Sequence, residues 1–281
     1  MYWPLSQQRQ EWTAQTSPSR PPNTSISGDD LQVMVMQLGP GEEVLAQPGC
    51  MVWCDSGVEN DISTGGLCNF LAREWCFNES GFLVHWRNTA PVRQGIGLSG
   101  NQPGKVVPIE LPAHSGELFL RDGAFLAASD PLLSFSAEKS GRRRGSSLLQ
   151  GLFGGQGVLV NKVAGQGWVF LVANGAVMRK NLAVGESIVV DQGCLVAWET
   201  TVTFGYRISG GLGMICCGGE GLTNATATGP GLVVVQSLHA HPRSGGAGAP
   251  TCRSRCAALF IFLVFLALGP LHLLSGSEPG E

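Results

Sequence analysis

The chain has 281 residues, 43% of them hydrophobic and 14% charged, with a net charge of −3. That balance accommodates a sizeable folded core, is too polar for a multispanning membrane protein, and gives the molecule no overall attraction to nucleic acid. Forty glycines without a Gly-X-Y period exclude collagen and point to many turns between short apolar runs.

Residues 1–28, rich in Ser, Thr, Gln and Pro, read as a disordered arm. They lack the apolar stretch of a secretory signal, so an intracellular location is expected. The odd count of nine cysteines, several within apolar runs, agrees with reduced thiols.

From 29 to 238 a low-charge, glycine-punctuated body follows, and it repeats. GEEVLAQPGCMVWCD begins at Gly41, GELFLRDGAFLAAS at Gly116 and GESIVVDQGCLVAWE at Gly185, with first glycines 75 and 69 residues apart. The second glycines are Gly49, Gly123 and Gly193, and the next residues are Cys50, Ala124 and Cys194. Another element, GGQGVLVNKVAGQGWVFLV from Gly154 and GGEGLTNATATGPGLVVVQ from Gly218, places Gly155 and Gly165 against Gly219 and Gly229. Its copy in the first repeat is eroded. Glycines at such constant offsets are expected at turns with positive φ.

Between them, runs such as 169–172, 188–190 and 232–235 are short and rich in β-branched residues, so strands are predicted rather than helices. LQVMVMQL at 31–38 alternates Val33 and Val35 against Met34 and Met36, as a strand does. Asn174-Gly175 is the strongest hairpin signal. The expected fold is all-β, three pseudo-equivalent repeats forming a sandwich or prism, plus a C-terminal apolar helix.

No catalytic, cofactor or metal set emerges, and no enzyme is expected. His85 and His114 occupy no repeated position, and the recurring Glu42, Glu117 and Glu186 read as residues solvating strand entrances, with a cation-binding carboxylate rim as the alternative. Cys50-x3-Cys54 and Cys216-Cys217 lack paired zinc-ligand spacing, and His239-x-His241 falls in the linker. Cys50 and Cys194, aligned with Ala124, read as buried packing residues. The basic run Arg142-Arg143-Arg144 is the candidate lipid contact, against a solvated loop tip. A linker at 239–255 precedes the apolar segment 256–274, which is near the ~20 residues that span a bilayer, and a tail at 275–281 closes the sequence. Arg253 and Arg255 before that segment orient the body toward the cytosol, and Cys252 and Cys256 beside it are candidate palmitoylation sites.

The motifs in the body, from GELFLRDGAFLAAS to GGEGLTNATATGPGLVVVQ, resemble the altered-inheritance-of-mitochondria protein 24 family over roughly 31–237. That resemblance implies a fold like the tryptophan RNA-binding attenuation protein, a role in mitochondrial membrane organisation, and no established catalytic residues. A membrane through the C-terminal segment and a protein partner or self-association are the expected partners, without nucleic acid. The alternative is a soluble β module binding a small ligand, its C-terminus an interaction helix.

Overall fold

A computed structural model describes residues 11–14, 19–63, 83–139, 159–208 and 223–239. The expected membrane-anchor helix, the palmitoylation candidates and the Arg142-Arg143-Arg144 run lie outside these residues, as do Gly155 and Gly219. By internal contacts the chain forms two units, Met1–Gly205 with Ala225–Ala240 and Tyr206–Asn224 with His241–Glu281. Among the described residues the second unit contributes only the ends of two strands.

The described body is all-β. Two strands lie in the N-terminal arm, β1 (Thr13–Ala14) and β2 (Thr24–Ser27). Six follow: β3 (Val33–Leu38), β4 (Glu43–Ala46), β5 (Met51–Cys54), β6 (Val58–Ser63), β7 (Leu83–Asn88) and β8 (Gln94–Ser99). The next six are β9 (Lys105–Glu110), β10 (Glu117–Leu120), β11 (Phe125–Ala128), β12 (Ser134–Lys139), β13 (Leu159–Ala164) and β14 (Trp168–Ala173). The last six are β15 (Val177–Leu182), β16 (Ser187–Val190), β17 (Leu195–Glu199), β18 (Thr203–Ile208), β19 (Thr223–Thr228) and β20 (Gly231–Gln236). They form four sheets, ordered β1-β15-β20-β17-β10-β13-β12, β6-β7-β4-β11-β14-β9, β16-β19-β18 and β2-β3-β8-β5. All the strand pairs described residue by residue are antiparallel.

Alternation decides which faces are buried. In β3, Met34, Met36 and Leu38 point inward while Val33 and Val35 are only half-buried. β11 and β14 are apolar almost throughout because they are covered on both faces, as continuous apolar runs require. One apolar cluster gathers Leu45, Leu118, Leu120, Phe125, Val196 and Val234. A second holds Met34, Met36, Leu38, Trp86, Ile96 and Phe170, and a third is built on Trp198, Leu182 and Val233.

Two expectations are corrected. The arm at 1–28 contains structured residues: Thr24–Ser27 pairs with β3, with Thr24 buried, because the edge of β3 presents unpaired backbone groups that an extended segment satisfies. Asn174-Gly175 makes a turn, with Gly175 at φ 74°, but not a hairpin. β14 pairs with β9 and β11, whereas β15 pairs with β1 and β20, so the turn carries the chain from one sheet to another.

A cysteine–histidine–aspartate cluster as the candidate functional site

The glycines anticipated from the repeats fall into two physical kinds. Gly41, Gly49, Gly116, Gly123 and Gly185 have φ between 72° and 79°, where a side chain is strained. Gly165, Gly193 and Gly229 do not have positive φ, and the first and last are instead crowded. A Cβ on Gly229 would lie 2.5 Å from the Ala183 carbonyl oxygen, and one on Gly165 2.9 Å from Leu133 Cδ1. The positive φ in those segments belongs to Gly167 and Gly231, two residues further on.

The recurring glutamates also separate. Gly39 N–H donates to Glu42 Oε2 at 2.6 Å, and Ala183 N–H donates to Glu186 Oε2 at 3.0 Å, so both side chains fold back over their own turns. Glu117 is one position further along its strand and pairs with Lys162 at 3.0 Å. Glu186 also meets Lys180 at 2.9 Å, both side chains largely buried. The three carboxylates therefore do not hold equivalent positions, and the carboxylate rim considered for a cation does not form.

Histidines meet carboxylates across long sequence separations. His85 on β7 bonds Glu43 on β4, and His114 Nδ1 lies 2.5 Å from Glu199 Oε1 at the end of β17. Each joins two elements, and among the described residues neither is hydrogen-bonded to a nucleophile.

The third histidine differs. Asp191 follows β16, Cys194 precedes β17, and His239 lies just past β20. His239 Nε2 is 3.1 Å from Asp191 Oδ2 and its Nδ1 is 4.0 Å from Cys194 Sγ. One ligand atom from each residue lies within 4.8 Å of the others. Local structure fixes the arrangement. Asp191 Oδ1 accepts from Gly193 N–H at 2.7 Å, which closes the turn and leaves Oδ2 facing the imidazole. Gly193 makes room for the ring, since a Cβ there would lie 2.4 Å from His239 Cδ2. Gln236, buried at the end of β20, donates through Nε2 to the carbonyls of Gly193 at 3.4 Å and Leu238 at 2.5 Å, tying the turn to the segment that carries His239.

Cys194 thus departs from the buried packing role expected of it. Cys50 does fill that role: it is 2% exposed, and burial pushes its thiol up to about 12. Cys194 is only half-buried, at the surface beside an exposed imidazole. The sequence offers two of the site's three residues, an aspartate and a cysteine three apart around a turn glycine. His239 is 45 residues from Cys194 and joins them only through the pairing of β17 with β20.

The architecture is that of an all-antiparallel β body without a helical layer among the described residues. A Streptococcus pyogenes protein whose crystal structure was determined in a structural genomics programme is similar, with 23% identity and a TM-score of 0.57, over 85% of this chain and 98% of that one. That likeness carries the fold. The profile of the family described as mitochondrial biogenesis AIM24 matches residues 24–238, and the chain belongs to that family. No curated protein matches the chain. No helix among the described residues is long and apolar enough to cross a membrane.

Proposed function

We propose that the protein is a non-catalytic scaffold of mitochondrial membrane biogenesis whose β body, built from three equivalent six-strand units, assembles with further copies through two open sheet edges. The family supports the mitochondrial setting. The strand pairing supports the rest. In each set of six, the first strand pairs with the sixth over six residues: β3 with β8, β9 with β14, β15 with β20. The third also pairs with the sixth, with one register shift in each case, at Met51/Trp53, Phe125/Ala127 and Leu195/Ala197. The second pairs with the fifth throughout.

Two junctions join successive sets, and both use the second strand of one set and the third strand of the next. β4 pairs with β11, Leu45 opposite Ala128, and β10 pairs with β17, Phe119 opposite Trp198. The same rule leaves β16 and β5 for a third junction, yet each is the end strand of its sheet among the described residues. Burial carries the proposal. Leu126 and Val196 are 0% exposed in the closed junctions, whereas the matching Val52 is 54% exposed, Trp53 is 40% exposed and Val189 on β16 is 51% exposed. Unpaired apolar edges of this kind are templates for pairing with another chain.

The apolar segment at 256–274 completes the proposal as the membrane tie, with Arg142-Arg143-Arg144 as a further lipid contact. Extracting membranes with alkaline carbonate tests the tie; release of the full chain into the supernatant would argue for the soluble ligand-binding alternative.

If the open edges pair in the register of the closed junctions, Val189 falls opposite Cys54, within disulfide reach in an antiparallel pair. A full-length Val189→Cys variant should therefore oxidise to a covalent dimer linked through Cys54 and lose that dimer in a Cys54→Ser background. A disulfide formed inside one chain would show that the seam closes on itself, and would end the assembly proposal.

A further inference from the structure

The geometry points to Asp191, Cys194 and His239 as a surface site for a zinc-like divalent cation, with a coordination position left open. The site does not depend on how copies of the chain assemble.

The donor set is a thiolate sulfur, an imidazole nitrogen and a carboxylate oxygen, the three ligand types that borderline cations such as zinc accept. In a tetrahedral zinc site with bonds of about 2.0–2.3 Å, ligand atoms stand roughly 3.3–3.8 Å apart. With one ligand atom from each side chain, and so a single nitrogen of His239, the three atoms lie within 4.8 Å of one another. Closing that set needs shifts on the order of 1 Å. The imidazole is the group able to make them, because its side chain is 60% exposed while the turn beneath it is anchored.

The anchoring makes the cluster more than a chance meeting of polar groups. The bond from Gly193 N–H to Asp191 Oδ1 sets the carboxylate, and the start of β17 sets Cys194. The buried Gln236 amide binds the backbone on both sides, at Gly193 and at Leu238, so the arrangement of β17 beside β20 fixes the cysteine relative to the histidine. At the matching position of the first unit stands Cys50, sealed in the core and held as a neutral thiol. The chain therefore keeps one cysteine of the pair away from solvent and presents the other beside an imidazole and a carboxylate. Three protein ligands on an exposed turn leave room for water, or for a ligand from another molecule, in the fourth position.

Cation binding would displace the thiol proton, so affinity should rise with pH as the thiol ionises. The test uses the full chain in detergent, fully reduced, titrated with zinc alone and, for spectroscopy, with cobalt alone. One equivalent should bind, with thiolate-to-cobalt charge-transfer absorption, and zinc should protect Cys194 from alkylation when modified residues are mapped by mass spectrometry. Cys194→Ser and His239→Ala should each abolish that equivalent, and Asp191→Asn should weaken it by about 10–100-fold. Gln236→Leu, which leaves all three ligands in place, should also weaken binding because it removes the amide that ties Gly193 to Leu238. The inference is overturned if the bound equivalent survives Cys194→Ser. It is equally overturned if Cys194 is alkylated at the same rate with and without zinc, or if no zinc binds while the far-ultraviolet circular dichroism shows an intact β body.

Discussion

Two kinds of sheet edge meet in this molecule, and they differ more in surroundings than in sequence pattern. β11 and β17 have β4 and β10 laid against them, and all their residues are buried except Glu199, half-buried at the end of β17. β5 holds the matching place in the first unit, with no partner on its outer side among the described residues, and Met51, Val52 and Trp53 are exposed. Trp53 stands where the other units carry Ala127 and Ala197, and its ring lies over Gly95 and Gly97, whose missing side chains leave it space. Small residues suit a strand clasped on both sides, and a large aromatic suits one with an open flank. The lesson is that a repeated motif fixes a strand's place in its own unit, while the neighbour decides whether its side chains are core or surface.

Truncation at the two kinds of edge gives the largest contrast. Leu120→Ala, in the closed β10–β17 junction, should cost about 2–5 kcal/mol. Val189→Ala, on the open edge, should cost less than about 1 kcal/mol in the monomer. Urea denaturation of both variants at low protein concentration measures the difference, and equal losses would mean that the open edge is covered in solution.

The next contrast is between ion pairs. Glu186→Gln retains an acceptor for the Ala183 N–H but leaves the largely buried Lys180 without its counter-charge, a loss of about 2–4 kcal/mol. Glu117→Gln breaks the more exposed pair with Lys162 and should change stability by no more than about 1 kcal/mol.

Burial gives Cys50 a marked response to pH. Cys50 has an ordinary value of 9.0 and is raised to about 12 in the folded protein, so between those values the unfolded chain gives up the proton while the folded one keeps it. Stability from this group is complete below about pH 9 and falls by roughly 1.4 kcal/mol per pH unit above it. A Cys50→Ala variant lacks this loss, so its melting temperature should gain on the parent between pH 8 and 10. Gly123→Ala should have a similarly modest effect. A Cβ there meets nothing within 4 Å, so only the strain of φ 73° opposes it, about 1 kcal/mol by thermal melting.

Much of the fold was legible because strand patterns are local. Val33 and Val35 against Met34 and Met36 announce a half-buried strand, and glycines such as Gly41 and Gly116 mark turns that need positive φ whatever lies nearby. Gly165 and Gly229 misled because crowding also selects glycine, and the crowding comes from residues distant in the chain. The glutamates misled through a one-residue difference in turn length: Glu42 and Glu186 cap turns while Glu117 has already entered its strand.

The amino-acid order by itself determined the β character, the turn positions and the motifs of the family, because these rest on side-chain alternation and backbone preference within a few residues. Tertiary structure alone decided that Cys194, unlike the buried Cys50, faces an imidazole, and that β5 and β16 lie at the ends of their sheets among the described residues. Those outcomes depend on which strands pair across about 35 residues or more, and no local preference encodes the partner.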